Sequence, residues 1–366
     1  MRMIWKSLAI ALATMTMSAC GEISFGNINL GGGTNNEDNT EQEGGNTESG
    51  GDQNPDEGGN NEGGNNEGGN DEGGNNEGGT TNPDTPVGNY PSQEGSGEKD
   101  GYTLVWEDLF DGEALNTDIW DVEVRNDGCG NAELEYYRKE NVAITTDEAS
   151  GRRCLTITAR REDYGGRYFT SGRLTTRGKK AFQYGKIEAY VKLPKTANGL
   201  WPAFWMMGNN YDEVGWPRCG EIDILEMGNA QGIKSGTQET FMNGACHWGY
   251  YKGSAYPNYG KHSNAPYSVQ DGEYHLFTII WDEQMINMYL DLDKYPNVEP
   301  YYAIGITEKG DDWGTGYYFH HDFFILFNLA VGGHFTGIYN TAQVTALPNV
   351  GDEAKMYVDY VKVFQK

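Results

Sequence analysis

Lys186-Ile187-Glu188-Ala189-Tyr190-Val191-Lys192-Leu193 is the stretch on which the fold class turns. Ile187, Ala189, Val191 and Leu193 alternate with Lys186, Glu188, Tyr190 and Lys192, the period-two pattern of a β-strand with one buried and one wet face. The pattern recurs in Leu155, Ile157 and Ala159, set against Thr156, Thr158 and Arg160. Leu276 to Trp281 and then Ile286, Met288 and Leu290 predict two strands joined near Asp282-Glu283. No segment carries a sustained helical stripe, and the intervals are rich in Gly, Asn, Asp and Pro. The expectation is an all-β domain, an antiparallel sandwich or jelly roll.

Outward from these strands the composition changes sharply. The chain has 366 residues and a formal charge of −27, and residues 21–100 hold 18 Asp and Glu against one Lys, with 22 of the 52 glycines. A packed core therefore belongs to residues 101–366. No basic excess exists to displace phosphate counterions, which argues against nucleic acid as a partner. Aromatic residues make up 13% of this acidic chain, more than a core alone requires, and neutral ligands such as sugars suit the surplus.

From Glu57 onward the chain repeats Glu-Gly-Gly-Asn-Asn, with glutamates at 57, 62, 67, 72 and 77. It has nothing apolar to offset its ordering entropy, so a disordered tether is expected, about 50 Å in root-mean-square length. A calcium-binding β-roll would need a periodic hydrophobe that the repeat lacks. Arg2 and Lys6 precede an apolar run from Leu8 to Met17, too short to span a bilayer and shaped like a secretory signal. Met17-Ser18-Ala19-Cys20 resembles a bacterial lipobox, which implies lipidation of Cys20 and a membrane anchor. The expected layout is a lipoprotein signal peptide at 1–19, a lipidated Cys20 with its tether over 20–100, and a folded domain at 101–366. The expected product is an exported lipoprotein at the cell surface or outer membrane of a Gram-negative-type bacterium, and a monomer. Beyond Cys20 there are four cysteines, Cys129, Cys154, Cys219 and Cys246. They lack paired zinc-site spacing, and a domain of this size does not need disulfides, so mostly free, buried thiols are expected.

The chemistry concentrates in Trp216-Pro217-Arg218-Cys219-Gly220-Glu221-Ile222-Asp223-Ile224-Leu225-Glu226. A strand apolar enough to bury Ile222, Ile224 and Leu225 ordinarily avoids acids, yet three occur within six residues. Glu221 and Asp223 share a face by alternation, whereas Glu226 would point to the opposite one. A β-bulge adding one residue after Asp223 restores Glu226 to the common face. Four strand steps then separate the glutamate Cα atoms by about 13 Å. Side chains leaning together bring the carboxyls toward the ~5 to 5.5 Å of a retaining glycosidase. Asp223 between them is placed to share a proton with a neighbour.

In this motif the sequence resembles bacterial glycoside hydrolase family 16, the laminarinase and lichenase group. The E-x-D-x-x-E signature stands as Glu221 to Glu226, in the bulged form. Around it lie similar segments: Tyr102 to Gly112, Asn131-Ala132-Glu133-Leu134-Glu135-Tyr136-Tyr137, Ser171 to Thr176, Gly199-Leu200-Trp201-Pro202-Ala203-Phe204-Trp205-Met206, Asn328 to Gly333 and Met356 to Val363. The resemblance covers residues 101–366 in order. It implies a concanavalin-like β-jelly-roll sandwich of two antiparallel sheets with a concave substrate cleft, and endo-acting hydrolysis of β-1,3-glucan or mixed-linkage β-1,3-1,4-glucan with retention. Glu221 would be the nucleophile, Glu226 the general acid/base and Asp223 the assisting residue. Trp201 and Trp205 would be sugar-stacking platforms, with Asn131, Arg173 and His247 as polar cleft contacts. No cofactor is implied for catalysis. A structural calcium is implied at Asp359, with carbonyls near Asp108 and Gly151 as partners. Two departures, His334 after Gly333 and Glu133-Leu134-Glu135 in place of a Gln-containing variant, fall in segments expected near the cleft. The competing readings are an endo-β-galactanase acting on agar-like or mucin-type glycans and a non-catalytic glycan-binding protein on the same fold. A pure binder has no use for all three acids.

Overall fold

The strand expected around Lys186 to Leu193 runs Gly185–Lys192, inside a ten-stranded sheet. The computed structural model describes residues 101–366; the signal peptide, Cys20 and the tether lie outside the described residues. Across the sheet the order is Tyr302–Gly305, Met285–Leu290, His275–Trp281, Gly185–Lys192, Glu353–Gln365, Arg152–Arg160, Phe169–Ser171 and Glu135–Tyr137. Thr103–Asp108 adds to Glu353–Gln365 and Val142–Asp147 to Arg152–Arg160. Asp282 closes the predicted hairpin: its Oδ1 accepts the amides of Gln284 at 2.8 Å and Met285 at 2.9 Å.

The second sheet has eight strands, in the order Asn258–Asn264, Phe241–His247, Glu221–Met227, Leu200–Gly208, Phe323–Val331, Arg173–Thr175 and Asp121–Val122, with Ala181–Phe182 on Phe323–Val331. Among the described residues the only α-helices are the short Tyr211–Val214 and Ala230–Ser235. The architecture is a two-sheet β-sandwich of the jelly-roll type.

One core fills the space between the sheets. Ile187, Ala189, Val191, Phe277, Ile279 and Trp281 meet Phe204, Met206, Ile222, Ile224, Leu225, Ile325 and Phe327 across it. Phe204 and Phe327 stack at 4.7 Å with their planes 10° apart. Truncating either to Ala should cost about 3–5 kcal/mol. The wet face expected for Gly185–Lys192 is a correction: Lys186, Glu188 and Tyr190 are buried too. Lys186 Nζ lies 3.4 Å from Glu188 Oε1 and over the Phe364 ring, and Tyr190 packs between Tyr274 and Tyr360. Long side chains of neighbouring strands cover that face. The four thiols, Cys129, Cys154, Cys219 and Cys246, are free and buried.

With its inner face in the core, the eight-stranded sheet has only its other face for function. That face carries a second apolar cluster, Ala203, Trp205, Met207, Cys219, Phe324 and Leu326, alongside the acids of Glu221–Met227.

Candidate active site

Glu221–Met227 pairs with Leu200–Gly208 on one side and Phe241–His247 on the other, and both pairings skip a residue at the same place. Phe204 opposes Leu225 but the next residue, Trp205, opposes Asp223. Likewise Ala245 opposes Asp223 while Asn243 opposes Glu226. The extra residue is Ile224, the bulge expected from the acid spacing, and both Ile224 and Leu225 point into the core. Glu221, Asp223 and Glu226 therefore share the face opposite the core, with Ala203, Trp205 and Met207 beside them. The strand ends at Gly228, whose φ is +94° and whose backbone passes so close to the Leu200 carbonyl that any Cβ would collide.

Each acid is nearly inaccessible: Glu221 is 0% exposed, Asp223 1% and Glu226 4%. Glu226 is held at both oxygens. Trp201 Nε1–H donates to Oε1 at 3.1 Å and Asn243 Nδ2–H to Oε2 at 2.5 Å. His247 Nε2 lies 3.4 Å from Asp223 Oδ2 and 4.0 Å from Glu221 Oε1, while its Nδ1 is 3.3 Å from the Tyr256 hydroxyl. Burial pushes the carboxyls of Asp223 and Glu226 well above the ordinary range. For Glu226 the charge of Asp223 pushes the same way, against the opposing Asn243 hydrogen bond and the nearby His247. Such a site favours the protonated form of Glu226, which is what an acid that must deliver a proton requires.

The structure brings His247 and Trp201 to the acids and gives the other expected contacts different surroundings. Trp201 and Trp205 are 3% and 5% exposed, so neither offers an open ring face as expected of a stacking platform. Trp201 stacks on Phe335 at 4.7 Å and uses its N–H on Glu226. Trp205 lies under the Arg173 guanidinium at 4.8 Å and donates to Asn328 Oδ1 at 2.8 Å. Arg173 itself pairs with Glu123 at 3.0 Å. Asn131 spends its Nδ2–H on Glu133 Oε1 at 3.1 Å, and its Oδ1 is buried with no partner.

Aromatic residues that sequence reading left unassigned form the open wall. Trp216 meets Tyr256 at 4.8 Å and Tyr251 at 5.9 Å, beside His247. With Tyr211, Arg173, Arg177 and Met207, Trp216 lines a small, open pocket. Its place five residues before Glu221 was the available signal; Asn243, set by register alone, gave none.

Comparison with known proteins places this geometry in a lineage. Residues 130–304 match Glycosyl hydrolases family 16. The chain is 33% identical over 273 residues to a beta-glucanase of Rhodothermus marinus, covering 72% of this chain and 85% of that one. The chain belongs to glycosyl hydrolases family 16. Among solved structures, a family 16 enzyme of a Bacteroides ovatus mixed linkage glucan locus, in complex with a G4G4G3G product, is 39% identical with a TM-score of 0.62, covering 71% of this chain and all (100%) of that one. The clotting factor G alpha subunit of Tachypleus tridentatus is 34% identical over 269 residues, 72% of this chain, and there the match spans only 34% of its relative's length.

The calcium implied by the family 16 resemblance does not fit here. Asp359 turns to Arg152, with Oδ2 2.6 Å from Nη1, so a guanidinium stands where a cation would. Among the described residues, the potential ligand atoms within 4.8 Å of one another are those of Glu221, Asp223 and His247. An ion there would compete with the acids' own chemistry.

Proposed function

We propose that this chain is a retaining, endo-acting hydrolase of β-1,3-glucan or mixed-linkage β-1,3-1,4-glucan. The observation that carries the reading is the bulge at Ile224, which sets three buried carboxyls on one face of one strand. Glu226 donates its proton to the leaving glycosidic oxygen as Glu221 attacks the anomeric carbon, forming a covalent glycosyl-enzyme. Glu226, now ionised, then takes a proton from water, which attacks the same carbon and releases Glu221. Trp201 and Asn243 keep Glu226 aimed through both steps. Asp223, with its proton, separates the two glutamates and lowers the charge between them. The names of the family members described above, a beta-glucanase and a mixed linkage glucan enzyme, support the substrate class.

The test is the anomer first released. Early proton NMR of a laminarin or barley β-glucan digest should show new reducing ends as β-anomers before mutarotation. Initial α-anomers would overturn the retaining mechanism. Release of oligosaccharides from poly-N-acetyllactosamine or agar alone would overturn the glucan assignment, and binding without cleavage of any of these polymers would overturn the enzyme.

The lipobox-like Met17-Ser18-Ala19-Cys20 supports a further part of this reading, that the domain is exported and tethered to a membrane through Cys20. Cys20→Ala should move activity from the membrane fraction to the soluble one with its specific value unchanged; activity staying with the membrane would reject the anchor.

A further inference from the structure

Two of the three acids face an imidazole, and the mechanism above gives that imidazole no step. His247 lies directly opposite Glu221 in the pairing of Phe241–His247 with Glu221–Met227, and Ala245 lies opposite Asp223. Residues opposite one another in an antiparallel pair share a face, and so do residues two apart, so Glu221, Asp223, Ala245 and His247 form one patch. Ala245 puts only a methyl at its corner, which leaves the other three side chains to lean over it. His247 Nε2 is 3.4 Å from Asp223 Oδ2 and 4.0 Å from Glu221 Oε1, and the three side chains bring one ligand atom each within 4.8 Å of the others. Asp223 is 1% exposed, and its Oδ2, on the side of Nε2, accepts no hydrogen bond. A buried carboxylate oxygen without a donor is costly, and a cation satisfies it as well as a donor does.

We propose that Glu221, Asp223 and His247 form a binding site for a divalent transition-metal ion of the zinc class, and that the ion inhibits hydrolysis by occupying the nucleophile. The inhibition, though not the binding, rests on the functional reading above. The donor set selects the ion. Two carboxylates neutralise a dication, and an imidazole nitrogen beside them suits zinc, whereas calcium and magnesium call for a fuller shell of oxygens. An ion held by Glu221 engages the electron pair that must attack the anomeric carbon, so metal and glucan exclude each other.

The spacing of the ligand atoms fits such an ion closely. Ligands about 2.1 Å from a tetrahedral zinc lie about 3.4 Å from one another. The His247–Asp223 edge already has that length at 3.4 Å, and the His247–Glu221 edge closes from 4.0 Å by a side-chain rotation. Three protein ligands leave the fourth position to water. Tyr256 supports the ring from behind: its hydroxyl lies 3.3 Å from His247 Nδ1 and accepts the Nδ1–H that the ring carries when Nε2 binds metal. Glu226 stays outside the set, since both its oxygens already receive N–H donors, from Trp201 and Asn243.

The test uses the full chain and zinc chloride. Titration calorimetry should find one saturable site per chain, and zinc-edge X-ray absorption of the loaded chain should show the scattering of one imidazole among oxygen ligands, a readout that needs neither substrate nor activity. Tyr256→Phe keeps its ring against Trp216 and should weaken zinc affinity about tenfold, while His247→Gln should remove both the imidazole scattering and the saturable site. Laminarin hydrolysis should slow through a raised KM with kcat unchanged, and calcium or magnesium chloride at the same concentration should leave it as it was. An all-oxygen shell around zinc in the parent chain, or an affinity unchanged in His247→Gln, overturns the proposal. Zinc bound through the imidazole without any slowing of hydrolysis keeps the metal site and rejects Glu221 as the nucleophile. Zinc bound in the same way by a chain that cleaves no glucan likewise keeps the site and rejects the functional reading instead.

Discussion

Asp147 and Asp291 are as deeply buried as Asp223 and Glu226, yet the two sets live under opposite electrostatics. Asp147, in the ten-stranded sheet, receives Lys192 Nζ at both oxygens, at 3.0 and 2.9 Å, and the Ser150 hydroxyl. Asp291, just after Met285–Leu290, takes His275 Nδ1 at 2.7 Å, the Leu276 amide at 2.9 Å and the Tyr267 hydroxyl at 2.9 Å. Burial raises both carboxyls, but these donors outweigh it and hold them below the ordinary range. Around Asp223 and Glu226 the donors are fewer and a second acid is adjacent, so burial wins. Asp147 and Asp291 are compensated by their donors, whereas Asp223 and Glu226 are left in want of charge. Among these four acids the difference follows the line between support and chemistry without reference to any substrate.

The sharpest way to break this contrast is to neutralise one acid from each set. Glu221→Gln and Glu226→Gln should each lower kcat on polysaccharide by about 10²- to 10⁴-fold, and Glu226→Gln should keep a thermal midpoint equal to or above the parent's, since it removes a carboxyl that burial and the charge of Asp223 disfavour. Retention of more than about a tenth of the turnover by Glu221→Gln would end its assignment as the nucleophile. Asp291→Ala should do the reverse, costing about 3 kcal/mol of stability by stranding His275 and Lys294, with kcat unchanged at a temperature where the variant is folded. A variant with normal denaturant stability would show that the network is decorative.

Smaller effects sharpen the comparison. Trp201→Phe keeps the ring over Phe335 and removes only the N–H on Glu226, so kcat should drop about tenfold, the worth of one hydrogen bond. An unchanged kcat would leave Asn243 as the sole orienting group. Smallest is the pH dependence of stability. His275 is raised by its two aspartates against the opposing effect of burial, so its contribution is complete below about pH 6.5 and fades as pH rises through its folded value. Asp291 is lowered, so its contribution is complete above about pH 4 and fades as pH falls. Glu226 is raised, so stability declines as pH climbs above about 4.3, where only the unfolded chain ionises it. Denaturant midpoints across pH should decline less steeply above that point in Glu226→Gln than in the parent. Parallel curves would show that Glu226 is ionised in the native state.

Much of this arrangement was legible from alternation. Ile187 to Leu193 and Leu155 to Ala159 place their alternating apolar members in the inter-sheet core, as do Phe277, Ile279 and Trp281, while Leu276 packs on the other face with Tyr190 and Tyr274. The bulge was legible too, because Glu226 could reach its fellow acids only through an added residue. What alternation cannot report is what lies over a strand's other face. Lys186 and Glu188 looked wet because nothing in their own segment announces Phe364 or Tyr360. Trp201 and Trp205 were assigned to the right face, but their coverage by Phe335 and Arg173 comes from distant segments. Asp359 looked like a metal ligand because Arg152 is far from it in sequence.

The four buried thiols carry a practical consequence. A jelly roll with no crosslinks does not wait on an oxidant to mature, so the domain should reach the same state in a reducing or an oxidising compartment. The thiols are also distributed across the molecule: Cys129 in the Asn131 loop, Cys154 in the ten-stranded sheet, Cys219 at the entrance to the acid strand and Cys246 opposite Ile222. Burial raises the thiol of Cys219 to about 12 and that of Cys154 as well, so in the closed molecule they stay protonated and unreactive. Each cysteine is therefore a native timer, and the rate at which an alkylating reagent finds it measures how often that quarter of the sandwich breathes open.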